Sequence, residues 1–269
     1  MKYSVLISVY HKDNAEYFRQ ALDSIINQTV KTDDIVVVCD GPLDEKLDNV
    51  LSDYNSKLNI IRLEKNSGLG NALNEGIKHC KYELIARMDS DDISEKNRCE
   101  YQLKMFEENP ELDIASSAIS EFVNNPENIV GIKSVPETHQ EIIEFSKRRC
   151  PFNHPVVMFR KTTVVSAGGY TEEYHKFEDY DLWIRMLKNG AIGGNTRKIL
   201  LNMRVNDDTY RRRGGQEYAK NLLRFHNHLK KSGWISSKTF LTCAVPHAAV
   251  CVLPNDMRKV VYKALRKNK

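Results

Sequence analysis

The sequence predicts an α/β fold, Rossmann-like, in which helices flank a mostly parallel central sheet. The first half of the chain alternates β-branched hydrophobic segments with segments whose apolar residues recur at helical spacing. Such alternation implies parallel strands joined by right-handed crossovers. The chain has 269 residues, of which 41% are hydrophobic, which is enough for one large α/β domain.

The elements of the first half follow from these two kinds of segment. Residues 3–10 predict a strand, and Phe18, Leu22 and Ile25 then share one face of a helix that opens at Asp13. The same alternation continues as far as residue 108. The remaining predicted elements are strand 35–39, helix 43–56, strand 58–63, helix 71–80, strand 83–88 and helix 95–108.

The second half is less regular. Thr138 and Glu141 match a capping box at the start of a helix over 138–148. Gly190 is a suitable stop for a helix over 178–188. The other predicted elements are a short strand at 155–159, a strand at 199–205 and a helix at 216–231. With no boundary signal before about residue 216, we expect one domain over 1–215 and a helical extension over 216–269.

Composition excludes several classes of protein. A net charge of +4 is too small to indicate a nucleic-acid binder. The six cysteines form no CxxC pair and are interpreted as reduced thiols of a cytosolic protein. The N-terminus lacks the features of a secretory signal. The apolar region 240–253 is shorter than the ~20 residues of a membrane span and is interrupted by Pro246 and His247.

The most informative stretch is Asp89–Asp92, where three carboxylates fall within four residues after a hydrophobic run. One interpretation is that these acids cap the helix that follows. A calcium loop is excluded because Ile93 occupies a position that needs oxygen and Ser94 one that needs glycine. The other interpretation is a site for Mg²⁺ or Mn²⁺, which take carboxylate ligands together with water and substrate phosphates.

Position along the predicted sheet favours the second interpretation. Polar residues follow the first strand at residues 11–13, the second at Asp40, and the fourth at Asp89–Asp92. Ligands of parallel sheets bind beyond the carboxyl ends of the strands, so we expect a pocket there. Asp40 is either a turn residue beside Gly41 or the acceptor of a hydrogen bond from the ring N–H of uracil.

The second half offers further candidates. Glu178 and Asp179 begin a predicted helix, either as caps or with Asp179 as a general base beside the apolar surface of Trp183. Residues 211–213 are three arginines before a glycine pair, either a solvated loop or a diphosphate clamp. His154 is interpreted as a structural residue that at most lines the pocket.

Several of these motifs, in this order, resemble glycosyltransferase family 2, whose members have the GT-A nucleotide-diphospho-sugar transferase fold. The second half resembles the branch that builds bacterial O-antigen and exopolysaccharide, such as the amylovoran-biosynthesis glycosyltransferases. The resemblance extends over nearly the whole chain. The segments that carry it are residues 4–10, Asp40-Gly41-Pro42, residues 66–76, 86–92, 153–155, 168–170, 177–183 and 212–215.

The resemblance implies a role for each matching residue. Asp40 binds uracil, Asp89 the ribose or the metal, and Asp91 a Mn²⁺ or Mg²⁺ ion that bridges the diphosphate. Asp179, with Glu178 beside it, is the catalytic base. Residues 1–92 then form the nucleotide-binding half and 93–215 the acceptor half. The implied nucleotide-sugar set is Tyr10, Asp40, Arg87, Asp89, Arg212 and Arg213, and the acceptor-pocket set is His154 and Trp183.

The resemblance also implies an activity and a place. We expect an inverting transferase that moves galactose or glucose from a UDP-sugar to an undecaprenyl-diphosphate-linked N-acetylhexosamine, with a β-1,3-type linkage. The segment 240–253 and the six basic residues from Arg258 onward predict peripheral binding to the cytoplasmic leaflet of the plasma membrane. The alternative for this segment is a packed terminal helix with a solvated tail.

Two other functions compete with this one. A catalytically silent nucleotide-sugar-binding scaffold is disfavoured because Asp40, Asp91 and Asp179 are all present, together with Asp89. A sugar-phosphate nucleotidyltransferase is disfavoured because residues 8–16 contain no glycine for its phosphate loop.

Overall fold

The computed structural model describes residues 1–206, 214–254, 257, 258 and 261. Its strands form one mixed sheet that runs through the described chain. The strands are β1 (Tyr3–Val9), β2 (Ile35–Cys39), β3 (Asn59–Arg62), β4 (Leu84–Asp89), β5 (Ile93–Ser94), β6 (Leu112–Phe122), β7 (Ile129–Lys133), β8 (Met158–Arg160) and β9 (Ile192–Arg204).

Helices lie on both faces of this sheet, and a helical segment ends the described chain. Short 3-10 turns occur at Asn55–Lys57 and His154–Val156. The helices are α1 (Ala15–Ile26), α2 (Glu45–Asp53), α3 (Leu69–His79), α4 (Arg98–Glu108), α5 (His139–Ser146), α6 (Lys161–Ser166), α7 (Glu178–Lys188), α8 (Gln216–Lys231), and α9 (Ser237–Thr239), which continues through a π-helical part (Phe240–Ala244) into α10 (Val245–Cys251).

The strand order is β3-β2-β1-β4-β8-β6-β9-β5, with β7 paired to β6. Strands β1 to β4 pair in parallel with one another, as the alternation predicts. Beyond β4 the sheet becomes mixed, because β8 runs antiparallel to both β4 and β6, whereas β6 and β9 are parallel. The predicted α/β fold class is confirmed, and the parallel half forms one end of the sheet.

Close packing of α3 on the sheet depends on a glycine. A Cβ atom at Gly76 would lie 2.3 Å from Leu6 Cδ1 and 2.7 Å from Val38 Cγ2. Both neighbours are fully buried side chains of β1 and β2. Gly76 therefore lets α3 approach the sheet closely.

The last helices pack on α7 through an apolar cluster of their own. The cluster includes Tyr180 and Ile184 of α7, Leu222 and Phe225 of α8, and Ala248 of α10, and the ring centroids of Tyr180 and Phe225 lie 4.9 Å apart. The helical extension is thus attached to the sheet through α7. None of the described helices is long and apolar enough to span a bilayer.

Several elements differ from the prediction: β5, β7 and α6 were not predicted, and β9 begins at Ile192 instead of residue 199. The strand expected at 155–159 begins only at Met158, because Pro155 lacks a backbone N–H and the preceding residues form the 3-10 turn. Strand β6 was not predicted, because it buries serines where an apolar run is expected. Ser116, for example, is fully buried and accepts a hydrogen bond from the backbone N of Asn153 at 3.0 Å.

Candidate active site

The polar segments after β1, β2 and β4 lie at one edge of the sheet. The register pairs Val9 with Cys39 and Ser8 with Asp89, so all three strands end at the same level. Side chains join the segments after β1 and β4 directly. Ser90 Oγ donates to Asp13 Oδ2 at 2.7 Å, and the same oxygen accepts from the backbone N of Tyr10 at 3.1 Å. The predicted convergence of polar residues is confirmed.

The acidic stretch does not cap the helix that follows it. Helix α4 begins at Arg98, and its N-cap residue is Asn97. Asp92 instead turns toward β9, where its Oδ1 accepts from the backbone N of Arg204 at 2.9 Å. Its Oδ2 is buried and has no hydrogen-bond partner among the described residues. The interpretation of the stretch as a helix cap is therefore wrong.

The carboxylates of this edge repel one another. Burial, followed by the charges of Asp89 and Asp13, raises the pKa of Asp91 to about 6. Burial and the neighbouring carboxylates of Asp91 and Asp89 also raise the pKa of Asp92 well above its usual range. A cation among these oxygens would relieve the repulsion, so the donor set fits a divalent metal.

The number of donors suits Mg²⁺ or Mn²⁺ better than a structural metal. The described chain contains no cluster of three or more His, Cys, Asp or Glu side chains arranged to hold a metal. Mg²⁺ is usually bound by one or two carboxylates and completed by water and substrate phosphates. Asp91 and Asp89 stay the predicted pair of metal-binding carboxylates, and Asp89 also forms an ion pair with the buried guanidinium of Arg87.

Asp40 has a clear structural role at the same edge. Its Oδ1 accepts from the backbone N of Ser67 at 2.7 Å, and its Oδ2 accepts from the backbone N of Gly68 at 3.1 Å. Gly68 is the N-cap residue of α3, so the carboxylate fixes the turn that begins this helix. The contact of Asp40 with uracil stays a prediction. These hydrogen bonds already hold the Asp40 side chain in place.

Asp179 lies in the first turn of α7 and is half-buried. Burial is the main cause that raises its pKa, and the adjacent Glu178 raises it further. Cys150 Sγ approaches its Oδ2 to 3.7 Å. Glu178 faces the preceding loop, where its Oε1 accepts from the backbone N of Lys176 at 2.9 Å. Of the two predicted catalytic acids, Asp179 has the environment of a general base.

The predicted acceptor-pocket residues pack against each other. His154 Nε2 lies 2.9 Å from Tyr170 Oη, and burial lowers the pKa of His154 well below its usual range. Trp183 is fully buried behind both rings, with centroid distances of 5.9 Å to His154 and 6.3 Å to Tyr170. Trp183 thus supports the wall of the site from behind, and His154 is a neutral ring beside it.

Two cations connect the halves of the site. Arg87 pairs with Asp89, and its charge also lowers the pKa of both Asp179 and His154. The charge of Lys133, at the end of β7, also lowers the pKa of Asp179 and of His154. The acidic edge after β4 and the first turn of α7 are therefore parts of one electrostatic neighbourhood, with Arg87 between them.

Some residues of this neighbourhood were not predicted. No local motif marks Lys133 or Cys150, whereas Tyr170 ends the recognised segment 168–170 but was given no role in the site. For Lys133, the apolar residues 129–132 before it are the signal that could have located its strand. The predicted diphosphate residues Arg212 and Arg213 lie outside the described residues.

The chain is similar in sequence to known glycosyltransferases. Residues 4–166 match the family model described as glycosyl transferase family 2. The chain is 39% identical to the UDP-Gal:alpha-D-GlcNAc-diphosphoundecaprenol beta-1,3-galactosyltransferase of Escherichia coli, over 97% of this chain and 95% of the relative. It is 38% identical to the amylovoran biosynthesis glycosyltransferase AmsE of Erwinia amylovora, over 87% of this chain and 88% of the relative.

Solved structures agree with the fold. A mannosyltransferase from Pyrobaculum calidifontis, in complex with GDP-Man and Mn²⁺, superposes with a TM-score of 0.66 at 16% identity, over 98% of this chain and 80% of the other. TarS of S. aureus in complex with UDP-GlcNAc gives a TM-score of 0.60 at 21% identity, over 83% of this chain and 67% of the other. Both likenesses support the GT-A architecture.

Proposed function

The chain belongs to glycosyltransferase family 2, and from this membership we propose that it transfers galactose from UDP-galactose to the N-acetylglucosamine of an undecaprenyl-diphosphate-linked acceptor. The product carries a β-1,3 linkage and serves surface-polysaccharide assembly. The observation that carries this proposal is the 39% identity to the Escherichia coli galactosyltransferase, which extends over 97% of the chain. The aligned region therefore includes the acidic edge and the proposed general base, Asp179 of α7.

Asp179 is the general base of the proposed reaction. Its raised pKa, caused chiefly by burial, gives the carboxylate more basicity toward an acceptor hydroxyl. As the proton moves to Asp179, the acceptor oxygen attacks C1 of the donor sugar from the face opposite the nucleotide, and the UDP leaves. A single displacement inverts the anomeric centre and needs no covalent intermediate.

The nucleotide sugar is bound at the acidic edge in this proposal. Tyr10 and Asp40 line the position of the uracil ring. Arg87 and Asp89 line the position of the ribose and the donor sugar. Asp91 and Asp89 hold the divalent cation, which when bound neutralises charge on the diphosphate. Residues 1–92 are then the nucleotide half of the domain.

Membrane association belongs to the proposal through the last helices. Leu241 and Val245 are exposed by 63% and 41%, and Val252 follows at 51%. These residues lie on a segment whose buried side packs on α8, so their exposed side is available for a lipid surface. Arg258 is buried and donates from Nη1 to the carbonyl of Cys251 at 3.1 Å, so it is not a lipid contact.

A donor panel tests the proposal. The full chain is incubated with Mn²⁺, GlcNAc-diphospho-lipid and either UDP-galactose, UDP-glucose or UDP-GlcNAc, and transfer is measured. We expect UDP-galactose to be the best donor. Asp179→Asn should lower kcat by about 10²- to 10⁴-fold with little change in the KM for UDP-galactose. An Asp179→Asn protein with wild-type turnover would rule out the base, and preference for another donor would rule out the galactosyl assignment.

A further inference from the structure

We propose that Arg204, the last residue of β9, is a positioning residue for the divalent cation of the nucleotide sugar. It holds the backbone of Asp91 in the orientation that directs this carboxylate to the cation, and it acts through Asp91 without binding the cation itself. This inference rests on the proposed function, since it concerns the metal of that reaction. The hydrogen bonds and ring contacts of the Arg204 side chain, which is buried, support it.

Two neighbouring strands bring the end of β9 to the acidic stretch. Strand β6 runs parallel to β9 and pairs Phe122 with Arg204. Strand β5, which directly follows Asp92, pairs antiparallel with β9. The backbone N of Arg204 donates to Asp92 Oδ1 at 2.9 Å, so the residue after Asp91 is attached to the end of β9. The pairing of the sheet therefore sets Arg204 beside Asp91.

The guanidinium of Arg204 connects Asp91 to two further segments. Its Nε donates to the carbonyl oxygen of Asp91 at 3.1 Å. Its Nη1 donates to the carbonyl oxygen of Asn124, which follows β6, at 3.1 Å, and its Nη2 donates to Gln20 Oε1 of α1 at 2.7 Å. The donors of a guanidinium have fixed directions in one plane. The bonds to Asn124 and Gln20 therefore fix the direction in which Nε meets Asp91.

Aromatic rings restrict the same guanidinium. Its Cζ atom lies 3.7 Å from the ring centroid of Tyr17 and 4.6 Å from that of Phe122. Such contacts attract a cation to the ring faces. The side chain of Arg204 is only 8% exposed, so it lacks the rotamer freedom that an arginine in water keeps. Arg204 is thus held in place before a nucleotide binds.

The predicted metal ligand benefits from a fixed backbone. The carboxylates of Asp89 and Asp13 repel that of Asp91, so Asp91 without support would turn away from them. Mg²⁺ demands near-ideal octahedral geometry from its ligands. The hydrogen bond to the carbonyl oxygen of Asp91 fixes the peptide from which the carboxylate extends. Loss of such a supporting residue commonly weakens metal binding by about 10- to 100-fold.

Binding of Mn²⁺ in the presence of UDP tests the inference without catalysis. The signal of free Mn²⁺ in electron paramagnetic resonance gives the Kd of Mn²⁺ for the full chain at saturating UDP. Arg204→Lys keeps the charge but cannot reproduce three donors in fixed directions, so it should raise this Kd by about tenfold. Arg204→Gln, which also removes the charge, should raise it at least as much. The KM for the acceptor at saturating Mn²⁺ should stay that of the wild type in Arg204→Lys.

Arg160→Lys is the matched control. Arg160 also donates to two backbone carbonyls, both at 2.8 Å, and its Cζ atom lies 5.5 Å from the ring centroid of Phe106. It pairs with Leu84 at the start of β4, which is the end of the strand opposite to Asp89. Arg160→Lys should therefore bind Mn²⁺ as the wild type does, even if urea denaturation shows a loss of stability.

Gln20→Ala tests the same connection without changing the arginine. It removes the acceptor of Nη2 at a half-buried position of α1 and should raise the Kd of Mn²⁺ by about threefold. In the Arg204→Lys background the same substitution should add little, because Gln20 acts through Arg204. If Arg204→Lys does not fold, Gln20→Ala still decides the question.

Three outcomes would count against these assignments. A wild-type Kd for Mn²⁺ in both Arg204→Lys and Gln20→Ala would overturn the inference and leave the proposed function standing. A loss of stability in Arg204→Lys with an unchanged Kd would make Arg204 a purely structural residue, which also overturns the inference. A wild-type chain that binds no Mn²⁺ at saturating UDP would instead overturn the metal site of the proposed function.

Discussion

At the scale of single residues, aspartate side chains of the same chemistry differ in their hydrogen bonds and in their pKa values, because their surroundings differ. Asp40 and Asp92 are both buried, but Asp40 accepts from backbone N–H groups at the start of α3, whereas Asp92 leaves Oδ2 without a partner among the described residues. Asp91 and Asp179 both have raised pKa values. Only Asp91 owes part of its shift to other aspartates, which is the electrostatic condition that a cation relieves.

Asp91 gives a prediction for stability without metal. Its pKa is 3.8 when unperturbed and about 6 in the folded chain, so folding favours the protonated form. This favourable contribution is complete below the unfolded pKa and is lost as the pH rises through the folded value. Asp91→Asn should therefore raise the free energy of unfolding by about 1–2 kcal/mol near pH 7.5 in EDTA, with the gain shrinking toward pH 4. Urea denaturation at the two pH values measures it.

The control for this variant is Asp53→Asn at an exposed aspartate of α2, which should show no such gain. Added Mn²⁺ with UDP should raise the melting temperature of the wild type and not that of Asp91→Asn. A variant no more stable than the wild type near pH 7.5 would mean that Asp91 is not under repulsive strain.

At the scale of elements, predictability follows from how local the signal is. Strands β1 and β2 were predicted from β-branched runs, and α7 and α8 from apolar spacing that needs no knowledge of the fold. Strand β6 is buried but contains serines, which a sequence pattern does not mark as buried. Their hydrogen-bond partners are distant in sequence, as Asn153 is from Ser116. Within the site, carboxylates that follow strands were found, whereas the contact of Cys150 with Asp179 has no local signature.

The α3 helix provides a test at this scale. In an exposed helix, glycine to alanine is stabilising by about 1 kcal/mol, but a Cβ at Gly76 would clash with Leu6 and Val38. Gly76→Ala should thus lower the free energy of unfolding by about 1–3 kcal/mol. Chemical denaturation compares it with Lys78→Ala, which changes an exposed position of the same helix. Stabilisation by Gly76→Ala would show that α3 can move off the sheet.

At the scale of the whole molecule, the last helices have one side packed on α8 and another exposed. Deleting everything after Trp234 would uncover Leu222 and Phe225, which are fully buried. Substitutions at exposed positions avoid this problem. They separate a loss of membrane contact from a loss of folding.

Vesicle binding tests the membrane surface. Leu241→Ser combined with Val245→Ser should weaken co-sedimentation with anionic vesicles by at least about tenfold, because apolar side chains supply much of the binding. Activity with a short-chain, water-soluble acceptor should remain. Val165→Ser is the matched control on α6. Undiminished vesicle binding by the double variant would remove these helices from the membrane proposal.

The central claim is that a base on α7 directs one inverting displacement on a UDP-sugar bound at the acidic edge. The anomeric configuration of the product tests it most directly. Wild-type protein, UDP-galactose and GlcNAc-diphospho-lipid are allowed to react, and the new linkage is determined by NMR. The account predicts a β-galactosyl residue on O3 of GlcNAc, formed from the α-configured donor. An α-linked product, or bound UDP-galactose with no transfer, would contradict it.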